Sequence, residues 1–543
     1  MKRVWLFPVV LLFLTAVTFT LMAQPQAGGR LIWGLYEEPS SLDPTGSTLA
    51  VQHMINDHIF EHICDFADDG TLQPLLCESW TVSEDGLVWD VKLKSGITFH
   101  NGKPVTAEDW VYTFDRTRNI GPRAGFYASV DKYIAVDDYT LRIVLKNPFP
   151  RILEMLTLGD AYLVDKDTVE AMGDTFGVEA PLNGTGPYTL KGWVRGEYIL
   201  LERWEGYDHG PAWRSNQGPA YVEEVMWRIL HEDSTRVFEL TEGNVDISPY
   251  VPFSLYDVAQ NAPNIELVER VRDMTYLLGM NTKHEPVDDV MVRWAIAMAI
   301  DREPIVQVAL TGHAEPAYIG CSPSQLGFPQ NSYEEVKAFY PPQDQDRSRM
   351  YLEAAGWIDE DGDGVLEKDG KELRLSLWTQ TGAEWPLMAQ ILQTQLAEVG
   401  ITTEIITVET GTFYGALNQQ QKHDLYLGMS GYPFGLDYLP FRHHTRSIGG
   451  SNPSFYDVEL APTIDRLLDI AQVLPTEEGR YGALAEGLKF IGQASAYVPL
   501  AWPVYPVAWK KDRVGGVEEA LDSIFGTQLD FTVLDCLEYY IKQ

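Results

Sequence analysis

The sequence contains few cysteines, few basic residues relative to acidic ones and, beyond its N-terminus, no long hydrophobic run. Its four cysteines, at positions 64, 77, 321 and 536, are too few for a disulfide framework and lack the spacing of a zinc motif. Lys and Arg number 41 against 78 Asp and Glu, which gives a formal net charge of −37. Because nucleic-acid binding relies on basic side chains that displace counterions from phosphates, nucleic acid is excluded as a partner. An anionic membrane surface is disfavoured for the same reason.

The motifs of several common catalytic sites are also missing. No G-x-x-x-x-G-K-[ST] occurs, so the sequence lacks the phosphate loop of ATPases. Gly428-Met429-Ser430-Gly431 falls short of a G-x-S-x-G nucleophile elbow because Tyr432 occupies the last position. No set of residues combines a nucleophile, a base and an oxyanion site. The sequence therefore favours a protein that is not an enzyme, and it predicts neither a cofactor nor a metal.

The long apolar run of this chain lies at its N-terminus. Lys2 and Arg3 precede an apolar stretch over residues 4–21, and Ala23 follows it. This order of basic, apolar and small residues is typical of a secretory signal peptide, here residues 1–23, with an uncleaved anchor as the alternative. No later stretch approaches the roughly 20 apolar residues that span a bilayer. We therefore expect a soluble exported protein, periplasmic or extracellular.

Hydrophobic periodicity indicates an α/β fold. Residues 89–93 and 139–145 alternate between apolar and polar, as half-buried strands do. Thr106 and Asp109 form the capping box of a helix predicted over residues 107–118. Farther on, a strand, a helix that stops at Gly400 and a second strand follow within about 35 residues, which predicts a parallel βαβ unit. The length of 543 residues predicts about three or four domains.

One string does resemble a catalytic motif. His58-Ile59-Phe60-Glu61-His62 matches H-x-x-E-H, in which two imidazoles on one helix face hold Zn²⁺ and the glutamate acts as general base. A zinc peptidase that uses His58, Glu61 and His62 is therefore the alternative from another functional class. A pattern with three fixed positions arises easily by chance, so a polar helix face without metal is the preferred interpretation.

Three further features leave two interpretations open. Cys64 and Cys77 flank a short turn, where either a disulfide or two small buried thiols would fit. Residues 359–364 resemble the start of a calcium loop, but position twelve is Gly370 instead of Glu, which favours an acidic turn. Aromatic clusters at 413–414, 432–434 and 502–509 lie in segments broken by Pro and Gly, and such loops are candidates for lining a wide cleft.

Ordered matches along nearly the whole chain point to a family. They include Gln73-Pro74, Glu78-Ser79-Trp80, Phe99-His100-Asn101-Gly102, Gly184-Thr185-Gly186-Pro187-Tyr188, Gly243-Asn244-Val245-Asp246-Ile247, Val292-Arg293-Trp294-Ala295-Ile296 and Ala355-Gly356-Trp357. With these segments the chain resembles family 5 extracellular solute-binding proteins, the dipeptide- and oligopeptide-type receptors of ABC importers.

The resemblance implies an α/β fold of the periplasmic binding protein type II-like class, with two lobes around a hinge cleft and an extra inserted domain. Lobe I would comprise residues 28–60, 186–275 and 505–543, inserted lobe II residues 61–185, and lobe III residues 276–504. A small organic ligand would bind at the hinge between lobes I and III, and closure would trap it. The implied partners are ABC permease and ATPase subunits at the membrane, and the receptor itself is expected to be a monomer.

The same matching suggests which residues line the cleft: Thr48, Leu49, Ala50, Tyr127, Met429, Ser430, Gly431 and Tyr432. Peptide-binding members usually carry in the last segment an Asp that pairs with the α-ammonium of the ligand, whereas here the first acid is Asp437. Because an unpaired buried ammonium costs on the order of several kcal/mol, either Asp437 or another acid replaces it, or the ligand lacks a free amino terminus. A peptide or peptide-like solute is expected first, and an oligosaccharide or other neutral organic solute is the alternative.

Overall fold

Strands and helices alternate along most of the chain in this computed structural model, which describes residues 25, 27–46, 49–121, 124–382, 384–431, 435–448, 451–454, 458–521 and 536–542. The strands are β1 (Arg30–Leu35), β2 (Cys64–Phe66), β3 (Leu72–Pro74), β4 (Cys77–Val82), β5 (Val88–Leu93), β6 (Val130–Asp137), β7 (Thr140–Leu145), β8 (Tyr188–Val194), β9 (Tyr198–Arg203), β10 (Glu224–Ile229), β11 (Ile247–Ser248), β12 (Ile265–Val271), β13 (Met274–Met280), β14 (Ala314–Pro316), β15 (Glu367–Lys368), β16 (Lys371–Glu372), β17 (Arg374–Gln380), β18 (Thr402–Val408), β19 (Leu425–Gly431), β20 (Tyr497–Lys510), β21 (Val514–Gly515) and β22 (Tyr540–Ile541). The helices are α1 (Ala50–Asn56), α2 (Ala107–Ile120), α3 (Ile152–Met155), α4 (Lys166–Met172), α5 (Asp233–Glu242), α6 (Tyr256–Gln260), α7 (Val290–Ala299), α8 (Tyr333–Lys337), α9 (Gln345–Ala354), α10 (Glu384–Ala397), α11 (Thr410–Gly415), α12 (Leu439–His443), α13 (Ala461–Val473), α14 (Glu477–Ala494) and α15 (Val517–Leu521).

One mixed sheet of 12 strands runs through the molecule, in the order β18-β17-β19-β13-β20-β11-β1-β10-β9-β8, with β12 and β14 also paired to β20. The 14-residue strand β20 joins its two halves. The early part of β20 pairs with β13, and its later part pairs with β12 and β11. Strands β12 and β13 are consecutive in the chain and meet at residues 272–273. The chain therefore crosses from one half of the sheet to the other at this junction.

The apolar residues form separate cores. One core draws on residues 31–60, 162–247 and 505–539. A second comprises residues 63–163 around the four-stranded sheet β4-β5-β7-β6. Two more lie on residues 276–501 and 277–502. These cores show which apolar residues pack together but do not define lobe boundaries. The lobe limits given above therefore stay a prediction.

Local sequence signals predicted several elements correctly. The capping box of Thr106 and Asp109 starts α2, which continues two residues beyond the predicted end. Asp289 caps α7 through the backbone N–H of Met291. Strands β17 and β18 flank α10 and pair in parallel, so the predicted βαβ unit is confirmed. The irregular conformation expected at residues 502–509 is wrong, since these residues belong to strand β20.

All four cysteines are buried free thiols, which is the second of the two interpretations given for Cys64 and Cys77. In the part of the chain that the structure describes, no helix combines the length and apolar character needed to cross a membrane. The predicted signal peptide, residues 1–23, lies outside the described residues.

Candidate functional site

The carboxyl ends of parallel strands in both halves of the sheet face the crossover at residues 272–273. Strand β1 is parallel to β10 and β11, and β11 runs antiparallel to β20 toward its middle. Strand β17 is parallel to β18 and β19, and β19 ends opposite the start of β13. Open α/β sheets bind ligands in the crevice outside the carboxyl ends of their strands. The crevice between these two edges is therefore the candidate site.

Tyrosine hydroxyls gather at the crossover. The rings of Tyr250 and Tyr505 stack with centroids 5.5 Å apart, and Tyr276 packs against Trp385 at 5.0 Å. Burial raises the pKa of the hydroxyls of Tyr250, Tyr276 and Tyr505, which keeps them neutral and able to donate. The positive charge of Arg272 acts on the pKa of all three hydroxyls in the opposite direction.

Several buried polar atoms around the crossover lack a hydrogen-bond partner within the described residues: Arg272 Nε, Thr275 Oγ1, Tyr505 Oη, Trp378 Nε1, Thr379 Oγ1 and Gln380 Nε2. They belong to the β12–β13 junction, β13, β17 and β20. Buried polar groups in folded proteins are nearly always paired. A polar ligand in the crevice would supply the missing partners.

The predicted segment 429–431 forms the end of β19 and borders the crevice. Its register pairs Met429 with Tyr276 and Gly431 with Met274. Arg442 Nη2 donates to the Met429 carbonyl oxygen at 2.9 Å, and Ser430 is buried. A Cβ atom at Gly431 would lie 2.2 Å from the Asp273 carbonyl oxygen. Any side chain at position 431 would therefore clash with the backbone of Asp273.

The other predicted cleft residues are placed as follows. Leu49 is 37% exposed and precedes α1, whose first residue is Ala50. Tyr127 lies in the core of residues 63–163, and its hydroxyl contacts the Met155 carbonyl at 3.1 Å and Asp160 Oδ1 at 3.2 Å. Thr48 and Tyr432 lie outside the described residues. Ligand contact by any of these residues stays a prediction.

The helix expected for the H-x-x-E-H motif is wrong, because α1 ends at Asn56. His58 Nδ1 bonds to the Met54 carbonyl at 3.0 Å, and His62 Nε2 bonds to the Leu158 carbonyl at 3.0 Å. Burial lowers the pKa of His58 to about 4 and that of His62 to about 3, so both are neutral.

The glutamate of the same motif has structural partners too. Glu61 accepts hydrogen bonds from the Tyr207 hydroxyl at 2.8 Å and from His209 Nε2 at 2.9 Å. Among the described residues, only the exposed carboxylates of Asp359, Asp361 and Asp363 approach closely enough to share a metal ion. The motif residues thus serve packing, and the zinc peptidase alternative loses its structural basis.

Asp437 does not border the crevice as a free acid. Its carboxylate lies 3.2 Å from Arg151 Nη1 and 3.4 Å from Arg480 Nε, and all three side chains are buried. Burial raises the pKa of Asp437 to about 6. Asp437 therefore already has two basic partners inside the protein, and which of the alternatives given above applies to the missing ammonium partner stays a prediction.

Comparison with known proteins agrees with the geometry. A family model described as bacterial extracellular solute-binding proteins, family 5 Middle, matches residues 71–449. The chain belongs to this family. The fold of family 5, type II-like with two lobes around a hinge cleft and an extra inserted domain, is thereby confirmed for this chain.

Individual family 5 relatives cover most of the sequence. The chain is 28% identical over 404 residues to the oligopeptide-binding protein AppA of Bacillus subtilis, a match over 73% of this chain and 72% of that protein. It is 27% identical over 376 residues to the glutathione-binding protein GsiB of Salmonella paratyphi A, over 68% of each chain. The structure of AppA from Bacillus subtilis in complex with a nonapeptide is similar with a TM-score of 0.78 and 24% identity, over 96% of this chain and 100% of that chain.

The lobe boundary predicted between residues 275 and 276 lies next to the crossover, but sequence reasoning missed the polar residues that the crossover brings together. Arg272, Tyr250, Tyr505 and Glu384 come from distant parts of the chain. One signal was available, since the charged pair Arg272-Asp273 directly precedes the largely apolar residues of β13. The tyrosines carry no comparable signal.

Proposed function

We propose that this family 5 protein is an exported receptor that captures a peptide or peptide-like solute and delivers it, chemically unchanged, to a membrane permease with separate ATPase subunits. The names of its relatives, oligopeptide-binding and glutathione-binding, support a peptide-like ligand. The observation that carries the proposal is the crevice itself, where two strand edges meet and buried donors lack partners within the described residues.

A peptide suits this crevice chemically. Its backbone alternates donors and acceptors, which can satisfy polar groups spread along a strand edge, while side chains occupy pockets. The stacked rings of Tyr250 and Tyr505 would suit an oligosaccharide as well, and this observation keeps the neutral solute as the second candidate.

Capture would proceed by closure of the lobes. The rings of Phe126 and Phe441 lie 4.1 Å apart, and Arg151 pairs with Asp437 at 3.2 Å, so segments 124–155 and 435–480 touch outside the crevice. We assign these contacts to the closed form. A ligand that contacts both halves of the sheet stabilises this form and shifts the population toward it.

The test combines calorimetry with small-angle scattering. Purified protein is titrated with mixtures of short peptides and, separately, with maltotriose. We expect heat and a smaller radius of gyration with peptides, and the peptides should be recovered intact by mass spectrometry. Binding of maltotriose alone would favour the second candidate. Cleaved peptides, or scattering that stays the same with bound peptide, would contradict the proposal.

Export and the monomeric state belong to the same proposal. The family description as extracellular and the pattern of residues 1–23 support export. Expression in a bacterial host should yield exported protein whose N-terminus begins after Ala23, and sizing with light scattering should give one chain per particle. Retention in the membrane fraction would favour the uncleaved anchor.

A further inference from the structure

The crossover carries the positive charge of Arg272, for which the described residues provide no counter-charge. Arg272 is half-buried, and its Nε atom is fully buried without a hydrogen-bond partner among the described residues. Within that same part of the chain, no carboxylate lies at ion-pair distance from its guanidinium. Burying a charge without a partner is costly.

The backbone of Arg272 is held firmly, so its side chain starts from a fixed point. Its N–H donates to the Pro503 carbonyl at 2.8 Å, and its carbonyl oxygen accepts from Ser322 Oγ at 2.5 Å. The first partner lies on β20 and the second lies beyond β14. A group positioned in this way is suited to recognition because little of its freedom is lost on binding.

Several other arginines have side-chain partners within the protein, although Arg236 Nε, Arg442 Nε and Arg480 Nε also lack a hydrogen-bond partner among the described residues. Arg236 pairs with Asp233 at 2.5 Å and donates to the Leu230 carbonyl at 3.1 Å. Arg293 donates to three backbone carbonyls, and Arg302 donates to two. Arg272 differs from Arg236, Arg293 and Arg302 in that no carboxylate or carbonyl of the described residues accepts from its guanidinium, and an acceptor on a ligand would fill this place.

The groups around Arg272 fit an anion. Tyr276 follows Arg272 by four residues, Tyr505 lies two residues after the Pro503 that accepts from the Arg272 backbone, and Tyr250 stacks on Tyr505 at 5.5 Å. Burial raises the pKa of all three hydroxyls, so they are neutral donors. Glu384 accepts from the Tyr276 hydroxyl at 3.4 Å and does not reach Arg272. A carboxylate can take two parallel hydrogen bonds from a guanidinium and further ones from hydroxyls.

We propose that Arg272 is a specificity-determining residue that binds an anionic group of the ligand, a carboxylate at the peptide terminus or on an acidic side chain. This inference rests on the proposed function, since it takes the ligand to be peptide-like. It also fits the absence of an acid from residues 429–434, the segment in which peptide-binding members usually carry the Asp that pairs with the α-ammonium of the ligand. Selection in this crevice would then act on the negative end of the ligand instead of its ammonium.

The experiment uses full-length mature protein and a synthetic library of short peptides of mixed length, in one form with a free C-terminal carboxylate and in another with a C-terminal amide. Bound peptides are identified by mass spectrometry, and dissociation constants are measured for those enriched. Arg272→Gln removes the charge, Arg272→Lys keeps it, and Arg349→Gln is the control. Arg349 is an exposed helix residue paired with Asp346, so the control removes the same charge far from the crevice.

We expect the wild-type protein and Arg349→Gln to prefer carboxylate-bearing peptides over uncharged ones by about tenfold to a hundredfold, as charge-assisted hydrogen bonds do. Arg272→Gln should reduce this ratio to about one, and Arg272→Lys should restore part of it. Peptides that bind equally with and without a carboxylate would overturn this inference and leave the proposed function standing. If no peptide binds and maltotriose does, the proposed function fails as well. Thermal unfolding of each variant confirms that it is folded.

Discussion

Two groups of buried charge lie in different regions of the molecule, and they differ in whether the protein pairs them. Arg151 and Arg480 alternate with Glu154 and Asp437, with nitrogen–oxygen distances of 2.7 to 3.6 Å. At the crossover, Arg272 has no carboxylate partner within the described residues, and Glu384 accepts from the Tyr276 hydroxyl. We call Arg151, Glu154, Asp437 and Arg480 the paired cluster. We call Arg272 and the hydroxyls of Tyr250, Tyr276 and Tyr505 the open cluster.

The difference teaches which region is structural and which is functional. Opposite charges at ion-pair distance across two segments hold those segments together, and each already has a counter-charge inside the protein. Charges left open at the carboxyl edges of strands leave the molecule incomplete until a ligand arrives. The paired cluster should therefore govern stability and closure, and the open cluster should govern affinity.

The largest effect is expected when the paired cluster is broken. Arg151→Gln removes the contacts to Glu154 and Asp437 and leaves buried carboxylates with fewer partners. We expect a loss of about 3–5 kcal/mol in the free energy of unfolding, measured by urea denaturation. The control Arg349→Gln should stay within about 0.5 kcal/mol of the wild type. Equal stability of the two variants would show that the paired cluster does not hold the segments together.

The pH dependence of stability gives the next effect. Folded Asp437, whose pKa burial raises from 3.8 to about 6, keeps its proton in a range where the unfolded chain releases it. The folded state thus binds more protons between about pH 4 and 6, so this contribution is fully present below pH 4 and is lost as pH rises through 6. The contribution of Asp437 to the free energy of unfolding that is lost in this way is about 1–3 kcal/mol.

Buried histidines change stability with pH in the opposite direction to Asp437. The contribution of Asp437 is therefore measured as a difference between the wild type and a variant. His58 and His62 have lowered pKa values of about 4 and 3, so their contribution is present above pH 6.5 and is lost as pH falls. Urea denaturation of the wild type and Asp437→Asn, compared across pH 4 to 7, isolates the acid. We expect the gap between the two proteins to change through pH 6, and a constant gap would contradict the assignment.

The end of strand β19, which borders the open cluster, is tightly packed against the backbone of residue 273. Gly431→Ala would place a Cβ 2.2 Å from the Asp273 carbonyl and should cost about 1–3 kcal/mol in stability. Gly482→Ala is the matched control, because its Cβ would meet nothing within 4 Å on helix α14. It should gain up to about 1 kcal/mol from helix propensity. Thermal unfolding compares the two, and equal shifts would mean that the backbone yields at position 431.

Elements whose cause is local could be read from the sequence. The capping box at Thr106 and Asp109, and the βαβ unit that ends at Val408, depend on neighbours within a few turns or strands. The zinc hypothesis failed because a spacing of four residues implies a shared face only within a helix, and α1 ends before His58. The H-x-x-E-H spacing could not reveal where the helix ends. Nor could it reveal the partners of the buried imidazoles, since His62 bonds to the carbonyl of the distant Leu158.

Strand β20 and the open cluster show what sequence patterns leave out. Three prolines, Pro499, Pro503 and Pro506, favour an irregular segment because proline cannot donate to a sheet. Their carbonyls still accept, for example from Val251 and Arg272, so the strand persists through them. Tyr250 and Tyr505 come together with Arg272 only through the topology of the sheet. Their proximity depends on contacts between residues hundreds of positions apart in the chain, which periodicity does not encode.

The smallest effect on stability is expected from deleting the Tyr505 hydroxyl, and the Tyr207 hydroxyl gives the contrast. The Tyr207 hydroxyl donates to Glu61 at 2.8 Å, so Tyr207→Phe should cost about 1.5–3 kcal/mol. The buried Tyr505 hydroxyl has no partner within the described residues, so Tyr505→Phe should change stability by less than about 0.5 kcal/mol. Urea denaturation of the two variants without ligand makes this comparison.

With a bound peptide the two variants should change places. Tyr505→Phe should then lose more stability than Tyr207→Phe, because it removes a hydroxyl donor that the ligand uses. A large loss of stability in ligand-free Tyr505→Phe would mean that the hydroxyl already has a partner inside the protein, and the distinction between paired and open groups would fail at that residue.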